Sequence, residues 1–528
     1  MQSLNPRRPA QRVLAALLCS TLTFPVAAPV AAQTPAAQPR ETKETFFARG
    51  RADVEANARL KPNKRKAKNV ILFVGDGMGV STITAARIYD GQLRGMKGEE
   101  NKLSFERFPY LAHSKTYQAN QQTPDSAPTM TSIVTGSKAN DGTLSIAPNV
   151  LGPDPVAAAK PENRLTTILE QAEEHGLWTG VVSTARITHA TPGACYAHTP
   201  YRDWEADADL SPQAAAVDYP DIARQLLDFH VRDTKMNGKP SRGLEVALGG
   251  GRSKFLTTAD ADPEDAGKTG ERKSRNLVNE WTGRGGAFVF DQKGFDSIDP
   301  ATTGPVLGLF ERSHMEYELD RAKDTAGEPS LTQMTEKAIR ILKRSPKGFF
   351  LMVEAGRIDH GHHAGNAKRA LTDAVELSRA VQHAAELAGD DTLIIVTADH
   401  SHTFAMVGYP TRGNPILGLV VSNDDATGLP ASGPAKAKDG KPYTTLSYAN
   451  GPGSVTGDRP DLTSVDTTAD DFRQQALVPS DSETHGGEDV AIFARGPQAY
   501  LFQGTMEENA TYFVMARALG FTAPGGKK

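Results

Sequence analysis

The segment NVILFVGD, residues 69–76, decides the fold. After Asn69, residues 70–74 form an apolar run without a polar face, which is typical of a strand buried on both sides. Three similar runs occur later, and each stops at polar residues. These runs are Thr179–Val182 before Ser183, Gly348–Val353 before Glu354, and Thr392–Val396 before Thr397-Ala398-Asp399.

Helical patterns separate these runs. In Ala370–Leu387, apolar residues recur at helical spacing on one face. The alternation predicts an α/β fold with a doubly wound, largely parallel central sheet flanked by helices. Ligands of such sheets bind beyond the carboxyl ends of the strands, where Asp76, Glu354 and Asp399 are expected to converge.

The first 32 residues have the pattern of a secretory signal peptide. Arg7, Arg8 and Arg12 precede an apolar stretch, and no acidic residue occurs before Glu41. Cleavage is expected after Ala32, with Ala28 as the alternative. Ordinary Sec export is favoured over twin-arginine export, and we predict a periplasmic or secreted protein.

The remaining chain divides into an arm and one large domain. Residues 33–68 are predicted to form an N-terminal arm and linker, with a helix at about 42–60 and a basic run at 61–68. Residues 69–528 form the main domain. A segment rich in Gly, Pro, Ser and Asp, at about 410–478, interrupts the strand and helix alternation and is interpreted as an insertion.

Composition excludes several classes of function. The formal net charge is −4, and it becomes −7 without residues 1–32, which carry three arginines and no acid, so nucleic-acid or membrane-surface binding is not indicated. No other apolar run could span a bilayer, and the C-terminus ends in Gly-Gly-Lys-Lys, so no membrane anchor is expected. Cys19 lies in the signal and leaves Cys195 alone, so stability must come from the core and from metals.

Several short segments combine carboxylates with imidazoles. In residues 354–363, Asp359 and His363 are spaced i and i+4, and mixed oxygen and imidazole ligands suit zinc, while Glu354 suits a harder ion such as magnesium. Asp399-His400 and His485 follow in later segments, and Asp76 stands among glycines. The alternatives are a His-rich surface turn, a structural Asp-His pair, a polar turn, and a simple strand-to-turn Asp, respectively. Residues 249–251, three glycines, are predicted to form a turn.

Residues 123–134 are typical of a loop that enters a helix. Ser126 would lie at the positive end of that helix, where a phosphate can bind and the hydroxyl could act as a nucleophile. The alternative is an N-capping Asp125-Ser126 pair. Further along, Arg202 could clamp two oxygens of a phosphoryl group, which a lysine cannot do.

Together these segments resemble the alkaline phosphatase family along nearly the whole chain after residue 32. The matching motifs are Gly75–Gly79, Pro124–Ala127, Val353-Glu354 with Ile358-Asp359, Thr397–His400 and Thr484–Gly487. The resemblance implies three metal sites. Its implied ligands are Asp359, His363 and His485 for one zinc, Asp76, Asp399 and His400 for a second zinc, and Asp76, Thr191 and Glu354 for magnesium.

The resemblance also implies a phosphoserine intermediate on Ser126 and phosphate binding by Arg202. His189 and His360 stand where some bacterial members carry Asp and Lys, so the chain is closer to the animal-type branch. His189 is counted with the metal site. The arm helix and the insertion, which matches the crown of that branch, imply a homodimer. Phe310-Glu311 and Glu328 resemble part of a calcium site that lacks an obvious further ligand.

The predicted activity is therefore hydrolysis of small phosphate monoesters. A phosphodiesterase or sulfatase of the same superfamily is the first alternative, since relatives share the two-metal platform. Arg202, Thr191 and Glu354 favour a monoester dianion because they complement its extra negative charge. A periplasmic phosphate-binding or metal-binding protein without catalysis is the second alternative, and the role of Ser126 discriminates it.

Overall fold

A ten-stranded sheet forms the centre of this computed structural model, within the residues it describes, 41–229 and 243–522. The predicted signal peptide, residues 1–32, lies outside the described residues. The strands of this sheet are β1 (Asn69–Gly75), β2 (Tyr110–Lys115), β3 (Trp178–Arg186), β4 (Val246–Gly250), β5 (Ala287–Val289), β6 (Val306–Leu309), β7 (Phe349–Ala355), β8 (Thr392–Thr397), β14 (Val490–Arg495) and β15 (Gly504–Glu507).

The order of strands across the sheet is β15-β2-β14-β8-β1-β7-β3-β4-β6-β5. Neighbouring strands are parallel except at β14, which is antiparallel to both β2 and β8. The four apolar runs chosen from the sequence are β1, β3, β7 and β8, which lie together at the middle of the sheet. The prediction of a doubly wound, largely parallel sheet is confirmed.

Helices cover both faces of the sheet. The helices of the described residues are α1 (Lys43–Ala58), α2 (Val80–Leu93), α3 (Ser126–Thr135), α4 (Pro155–Ala158), α5 (Ile168–Glu174), α6 (Ala190–Tyr196), α7 (Pro212–Ala216), α8 (Ile222–Leu227), α9 (Leu277–Gly283), α10 (Gln292–Ser297), α11 (Leu331–Leu342), α12 (Arg357–His363), α13 (Ala367–Leu387) and α14 (Ala510–Leu519). None of the helices in the described ranges is long and apolar enough to cross a lipid bilayer.

Strand β1 shows why its sequence has no polar face. Ile71 and Phe73 pack into a core with α2, α11 and α13, whereas Val70, Leu72 and Val74 pack into a second core with α3, α5 and α14. Because successive side chains of a strand point to opposite faces, both faces must be apolar. Burial of these side chains drives the assembly of helices around the sheet.

The predicted arm helix exists as α1, with no buried residue. Asp53 of α1 lies 3.1 Å from the ammonium of Lys102. Much of the segment at 410–478 is irregular, as its composition predicts. It also supplies β11 (Leu446–Gly451) and most of β12 (Ala476–Pro479), which form a three-stranded sheet with β10 (Phe404–Met406).

The predicted turn at residues 249–251 is wrong for its first two glycines, which end β4. A Cβ at Gly249 would lie 3.0 Å from the Ser183 carbonyl oxygen, and one at Gly250 would lie 2.1 Å from the Ser313 carbonyl oxygen. These glycines therefore permit close backbone approach. Only Gly251 has a positive φ, 98°, and serves the turn itself.

Candidate active site and metal centre

Three adjacent parallel strands carry acidic side chains to one edge of the sheet. In the order β8-β1-β7, Val74 of β1 lies opposite both Thr397 and Glu354. Asp76 follows β1 directly, and Asp399 follows β8. Asp76, Glu354 and Asp399 are fully buried, so the convergence expected from the sequence is present in the structure.

These buried carboxylates have high proton affinity. Burial, opposed by a hydrogen bond from Ser183 and reinforced by repulsion from Asp399, raises the pKa of Glu354 to about 7. The pKa of Asp399 rises to about 6 mainly through burial, and the pKa of Asp76 is raised by burial and by Asp399. Both carboxylate oxygens of Asp76, Oε1 of Glu354 and Oδ2 of Asp399 are buried without a hydrogen-bond partner. Orphaned, mutually repelling oxygens of this kind fit divalent cations.

One group of potential ligands lies beside the predicted nucleophile. His400 Nε2 lies 3.4 Å from Asp76 Oδ1 and 3.4 Å from Asp399 Oδ2, and all three side chains are buried. Ser126 Oγ lies 3.1 Å from the same His400 nitrogen. The structure therefore places the serine hydroxyl at the group Asp76, Asp399 and His400, which could hold a metal ion.

A second group contains the other three predicted zinc ligands. Asp359 Oδ1 lies 3.3 Å from His363 Nε2 and 3.4 Å from His485 Nε2, and the two imidazole nitrogens are 3.1 Å apart. The Nδ1–H groups donate to backbone carbonyls, that of His363 to Glu483 at 2.5 Å and that of His485 to Pro124 at 2.8 Å. This fixes the tautomer and turns each Nε2 lone pair toward the shared centre, as metal-binding histidines require.

The two groups form one continuous centre. The rings of His400 and His485 stack with centroids 3.7 Å apart. His400 comes from the end of β8 and His485 from β13 (His485–Gly486), whose partner β9 (Ser401–His402) follows His400 directly. Residues from distant parts of the chain thus meet at one sheet edge.

His402 is a site residue that sequence reasoning did not assign. Its Nε2 lies 2.9 Å from Asp359 Oδ1, and its Nδ1 lies 2.5 Å from Glu483 Oε2. Burial would lower its pKa, but hydrogen bonds to these two carboxylates outweigh burial and raise the pKa of His402 to about 9. A protonated ring donates to both carboxylates and holds Asp359 in place. The second imidazole in His400-Ser401-His402, close after a buried strand, is the signal that could have identified it.

The predicted magnesium ligands form a group that shares Asp76 with the group around His400. One nitrogen of His189 and one carboxylate oxygen each of Asp76 and Glu354 lie within 4.8 Å of one another. Thr191, on α6, has a buried hydroxyl without a hydrogen-bond partner and lies near enough to Glu354 to influence its pKa. Ser183 donates a hydrogen bond to the other oxygen of Glu354.

Ser126 begins α3, and Asp125 caps that helix. The Asp125 carboxylate accepts from the Ala127 N–H at 3.3 Å and pairs with Arg202 Nη1 at 2.5 Å. Burial would raise the pKa of Asp125, but the Arg202 guanidinium outweighs it and lowers the pKa. The sequence left open an N-capping pair or a serine at a phosphate site. The structure shows that Asp125 caps the helix while Ser126 faces His400. Arg202 is held by the carboxylate of the residue that precedes the serine.

Comparison with known proteins decides the family. The family model described as alkaline phosphatase matches residues 67–521. The chain belongs to the alkaline phosphatase family. Alkaline phosphatases hydrolyse small phosphate monoesters, so this chain is a hydrolase of that class.

Individual alkaline phosphatases show how extensive the similarity is. The enzyme of Gadus morhua is 44% identical over 467 residues, covering 86% of this chain and 92% of that protein. The tissue-nonspecific isozyme of Gallus gallus is 45% identical over 468 residues, covering 86% of this chain and 85% of that protein. The resemblance to the animal-type branch is confirmed. The crystal structure of Thermus thermophilus alkaline phosphatase shares the fold, with a TM-score of 0.60 at 22% identity, covering 88% of this chain and 94% of that one.

Three imidazoles lie beside the proposed magnesium ligands of this alkaline phosphatase. The rings of His314 and His360 have centroids 4.1 Å apart, and His189 meets both edge-on. Burial is the main cause that lowers the pKa of all three, that of His360 to about 3. Each ring also contacts a guanidinium group, with Arg202 Nη2 lying 3.0 Å from His189 Nε2. His189 therefore accepts from Arg202 and presents Nδ1 as an N–H on its other side.

The residues that resemble a calcium site form an acidic cluster. Burial, with repulsion from neighbouring acids, raises the pKa of Glu311 to about 8 and that of Glu328 to about 9. Glu264 and Asp324 are close enough to contribute to these shifts. Glu328 Oε2 is buried without a hydrogen-bond partner. The cluster supplies further acidic groups that sequence reasoning did not find.

Proposed function

We propose that this alkaline phosphatase hydrolyses phosphate monoesters through a phosphoserine intermediate on Ser126, with two zinc ions and one magnesium ion. The distance of 3.1 Å between Ser126 Oγ and His400 Nε2, within a group of buried ligands, carries the proposal. The three ions would be held by these residues: zinc by Asp359, His363 and His485; zinc by Asp76, Asp399 and His400; magnesium by Asp76, Thr191 and Glu354, with His189 beside it.

The types of donor support this distribution. Imidazole and carboxylate together suit zinc, whereas an all-oxygen set suits magnesium. When bound, the pair of zinc ions supplies Lewis-acid stabilisation of the attacking and leaving oxygens of an in-line displacement.

The chain's own groups perform the rest of the reaction. Ser126 Oγ attacks phosphorus from the N-terminus of α3, where the backbone N–H groups favour negative charge. The phosphorus–oxygen bond to the leaving group breaks as the bond to Ser126 forms, while the proton of the Ser126 hydroxyl passes to solvent and the leaving oxygen takes a proton from water. Arg202 orients the phosphoryl oxygens, because its position is fixed by Asp125 on one side and His189 on the other. Water then hydrolyses the phosphoserine, which restores the hydroxyl.

A monoester fits better than a diester or a sulfate ester. A monoester dianion has one more negative charge, which the Arg202 guanidinium and a magnesium ion held by Asp76, Thr191 and Glu354 would complement. Rates on nitrophenyl phosphate, its diester and its sulfate test this preference. Faster turnover of the diester or the sulfate would reject the monoester assignment.

Replacement of Ser126 distinguishes a catalyst from a protein that only binds phosphate or metal. We expect Ser126→Ala to lose at least about 1,000-fold in kcat while it retains its metals, because the nucleophile is removed but no ligand is. Ser137→Ala, just after the same helix, is the matched control. Acid quenching of the native protein during turnover should trap phosphate on a peptide that contains Ser126. Unchanged turnover in Ser126→Ala would contradict the proposed role and leave a binding protein or another nucleophile.

The acidic cluster supports a calcium site at Glu311 and Glu328. A cation with flexible oxygen ligation would relieve the repulsion that raises the pKa of both carboxyls. Glu264 is partly neutralised by Arg252, at 2.6 Å, and Asp324 adds a further acidic group. Calcium in this position would be structural, since none of these residues belongs to the group around Ser126.

Exposed apolar side chains support a homodimer. In α1, the exposed fractions are 52% for Phe46, 65% for Phe47 and 69% for Val54. Tyr409, just before the insertion, is 88% exposed, and Leu477, within it, is 81% exposed. Exposed apolar surface is a mark of interaction sites, and a second copy would cover it. Sedimentation of the native chain and of a form lacking residues 33–60 tests this assembly.

The domain division and the location are proposed from the sequence pattern. Residues 1–32 are proposed to be a cleaved signal peptide, residues 33–68 the arm and linker, and residues 69–528 the catalytic domain with its crown-like insertion at about 410–478. Export to the periplasm or the exterior follows from the charge and apolarity of the first segment. N-terminal sequencing of the exported protein should begin near residue 33.

A further inference from the structure

The insertion at 410–478 reaches the helix that carries two proposed zinc ligands. Tyr448 of β11 is buried, and its hydroxyl lies 2.8 Å from His362 Nδ1. The other nitrogen of His362 lies 2.9 Å from the Thr82 hydroxyl. His362 belongs to α12, together with Asp359 and His363. Both nitrogens of the buried ring are therefore occupied, which fixes this face of α12.

The same strand also holds the loop of the third proposed ligand. Asn450 Nδ2 donates to the Thr484 hydroxyl at 2.8 Å, and Asn450 Oδ1 accepts from the Thr484 N–H at 2.9 Å. Thr484 directly precedes His485. This paired contact fixes both the backbone and the side chain of the residue next to the ligand.

A third contact secures the connection after α12. Gln474, also in the insertion, donates its backbone N–H to the Gly365 carbonyl at 2.9 Å, and its side-chain oxygen accepts from the Ala367 N–H at 2.6 Å. These contacts hold the turn between α12 and α13. The insertion thus contacts the C-terminal end of α12, the turn that follows it, and the His485 loop.

We propose that strand β11 of the insertion is a support for the first metal centre, in which Tyr448 and Asn450 are positioning residues for His363 and His485. The inference rests on the proposed zinc ligands at that centre. Neither side chain touches the centre itself. They act through His362 and Thr484, so their effect should fall on retention of the metal at this centre more than on the chemistry of Ser126.

The physical reason is the narrow geometry of metal ligation. A zinc site of two imidazoles and one carboxylate needs its donors already placed, and loss of outer partners that orient ligands lowers affinity about 10- to 100-fold. In α12, the hydrogen bond between the Tyr448 hydroxyl and the buried ring of His362 restricts the orientation of that ring. In the His485 loop, two hydrogen bonds to one residue restrict its rotation.

The test compares metal release from the full chain. Tyr448→Phe and Asn450→Ala are mixed with a chromophoric zinc chelator, and zinc release is followed by absorbance. Tyr443→Phe and Asn423→Ala are controls in the same insertion. Tyr443 packs against Gly408, and Asn423 is exposed. Unfolding midpoints of the metal-free proteins report any general loss of stability.

We expect one zinc per chain to leave about 10- to 100-fold faster from Tyr448→Phe and from Asn450→Ala, with the other zinc and both controls unchanged. Release at the native rate from both variants would overturn the proposal. Equal acceleration of both zinc ions, together with a lower unfolding midpoint, would also overturn it, since that marks a general structural role. A native chain that holds no zinc would instead contradict the proposed function.

Discussion

His402 Nε2 lies 2.9 Å from Asp359 Oδ1, the carboxylate oxygen that both His363 and His485 approach. His402 is therefore an outer partner of the proposed first zinc site. Glu483 on its far side completes a chain of carboxylate, imidazole and carboxylate. These hydrogen bonds orient Asp359 and leave the other lone pairs of its carboxylate for zinc.

Replacement of His402 should weaken that zinc site. In His402→Ala, Asp359 loses its buried donor, so zinc affinity should fall about 10- to 100-fold. Equilibrium dialysis with zinc, followed by metal analysis, measures the change. His113→Ala, at an exposed position, is the control. Zinc retention equal to that of the native chain would show that His402 does not position Asp359.

Arg202 should matter for phosphate binding more than for metal content. Loss of its charged hydrogen bonds in Arg202→Ala should lower kcat/KM roughly 10- to 100-fold and weaken inhibition by inorganic phosphate. Arg202→Lys should restore only part of this, because an ammonium cannot hold two oxygens in one plane. Steady-state kinetics with nitrophenyl phosphate checks both variants. If inorganic phosphate inhibits Arg202→Ala as strongly as the native chain, Arg202 does not bind the phosphate.

The acidic cluster predicts a stability that depends on pH and calcium. Because folding raises the pKa of Glu328 to about 9, from 4.5, its contribution to stability is complete below about pH 4.5 and is lost as pH rises through about 9. In calcium-free protein, Glu328→Gln should remove this loss, so its unfolding midpoint at pH 9 should exceed the native one. Calcium should raise the midpoint of the native chain but not that of the variant.

Thermal unfolding between pH 5 and pH 9, with and without calcium, checks this behaviour. Glu162→Gln, at an exposed position, is the control. If the midpoints of the native chain and of Glu328→Gln fall in parallel as pH rises, ionisation of Glu328 does not lower the stability. If calcium stabilises both equally, it binds elsewhere.

Much of the site could be predicted because of how parallel sheets are built. Asp76, Glu354 and Asp399 each follow an apolar run, and the carboxyl ends of neighbouring parallel strands meet at one edge. Asp359 and His363 share one helical turn, so their spacing alone brought them together. Ser126 followed from the cap and the apolar spacing of α3.

The remainder depends on contacts that have no local pattern. His402 acquires its role from Asp359 and Glu483, which are 43 and 81 positions away. Glu264 joins Glu311 only because the loop after β4 folds back, and no spacing reveals it. Gly249 and Gly250 were assigned to a turn because composition cannot show that a Cβ at either position would lie within about 3 Å of a neighbouring carbonyl oxygen. Tertiary approach, rather than sequence period, determines these features.

Metal analysis coupled to turnover tests the central claim most directly. The purified chain is assayed with nitrophenyl phosphate before chelation, after chelation, and after zinc and magnesium are restored. We expect two zinc ions and one magnesium ion per chain, loss of turnover with zinc removal, and recovery when zinc returns. Full turnover by a chain that contains no transition metal would contradict the account.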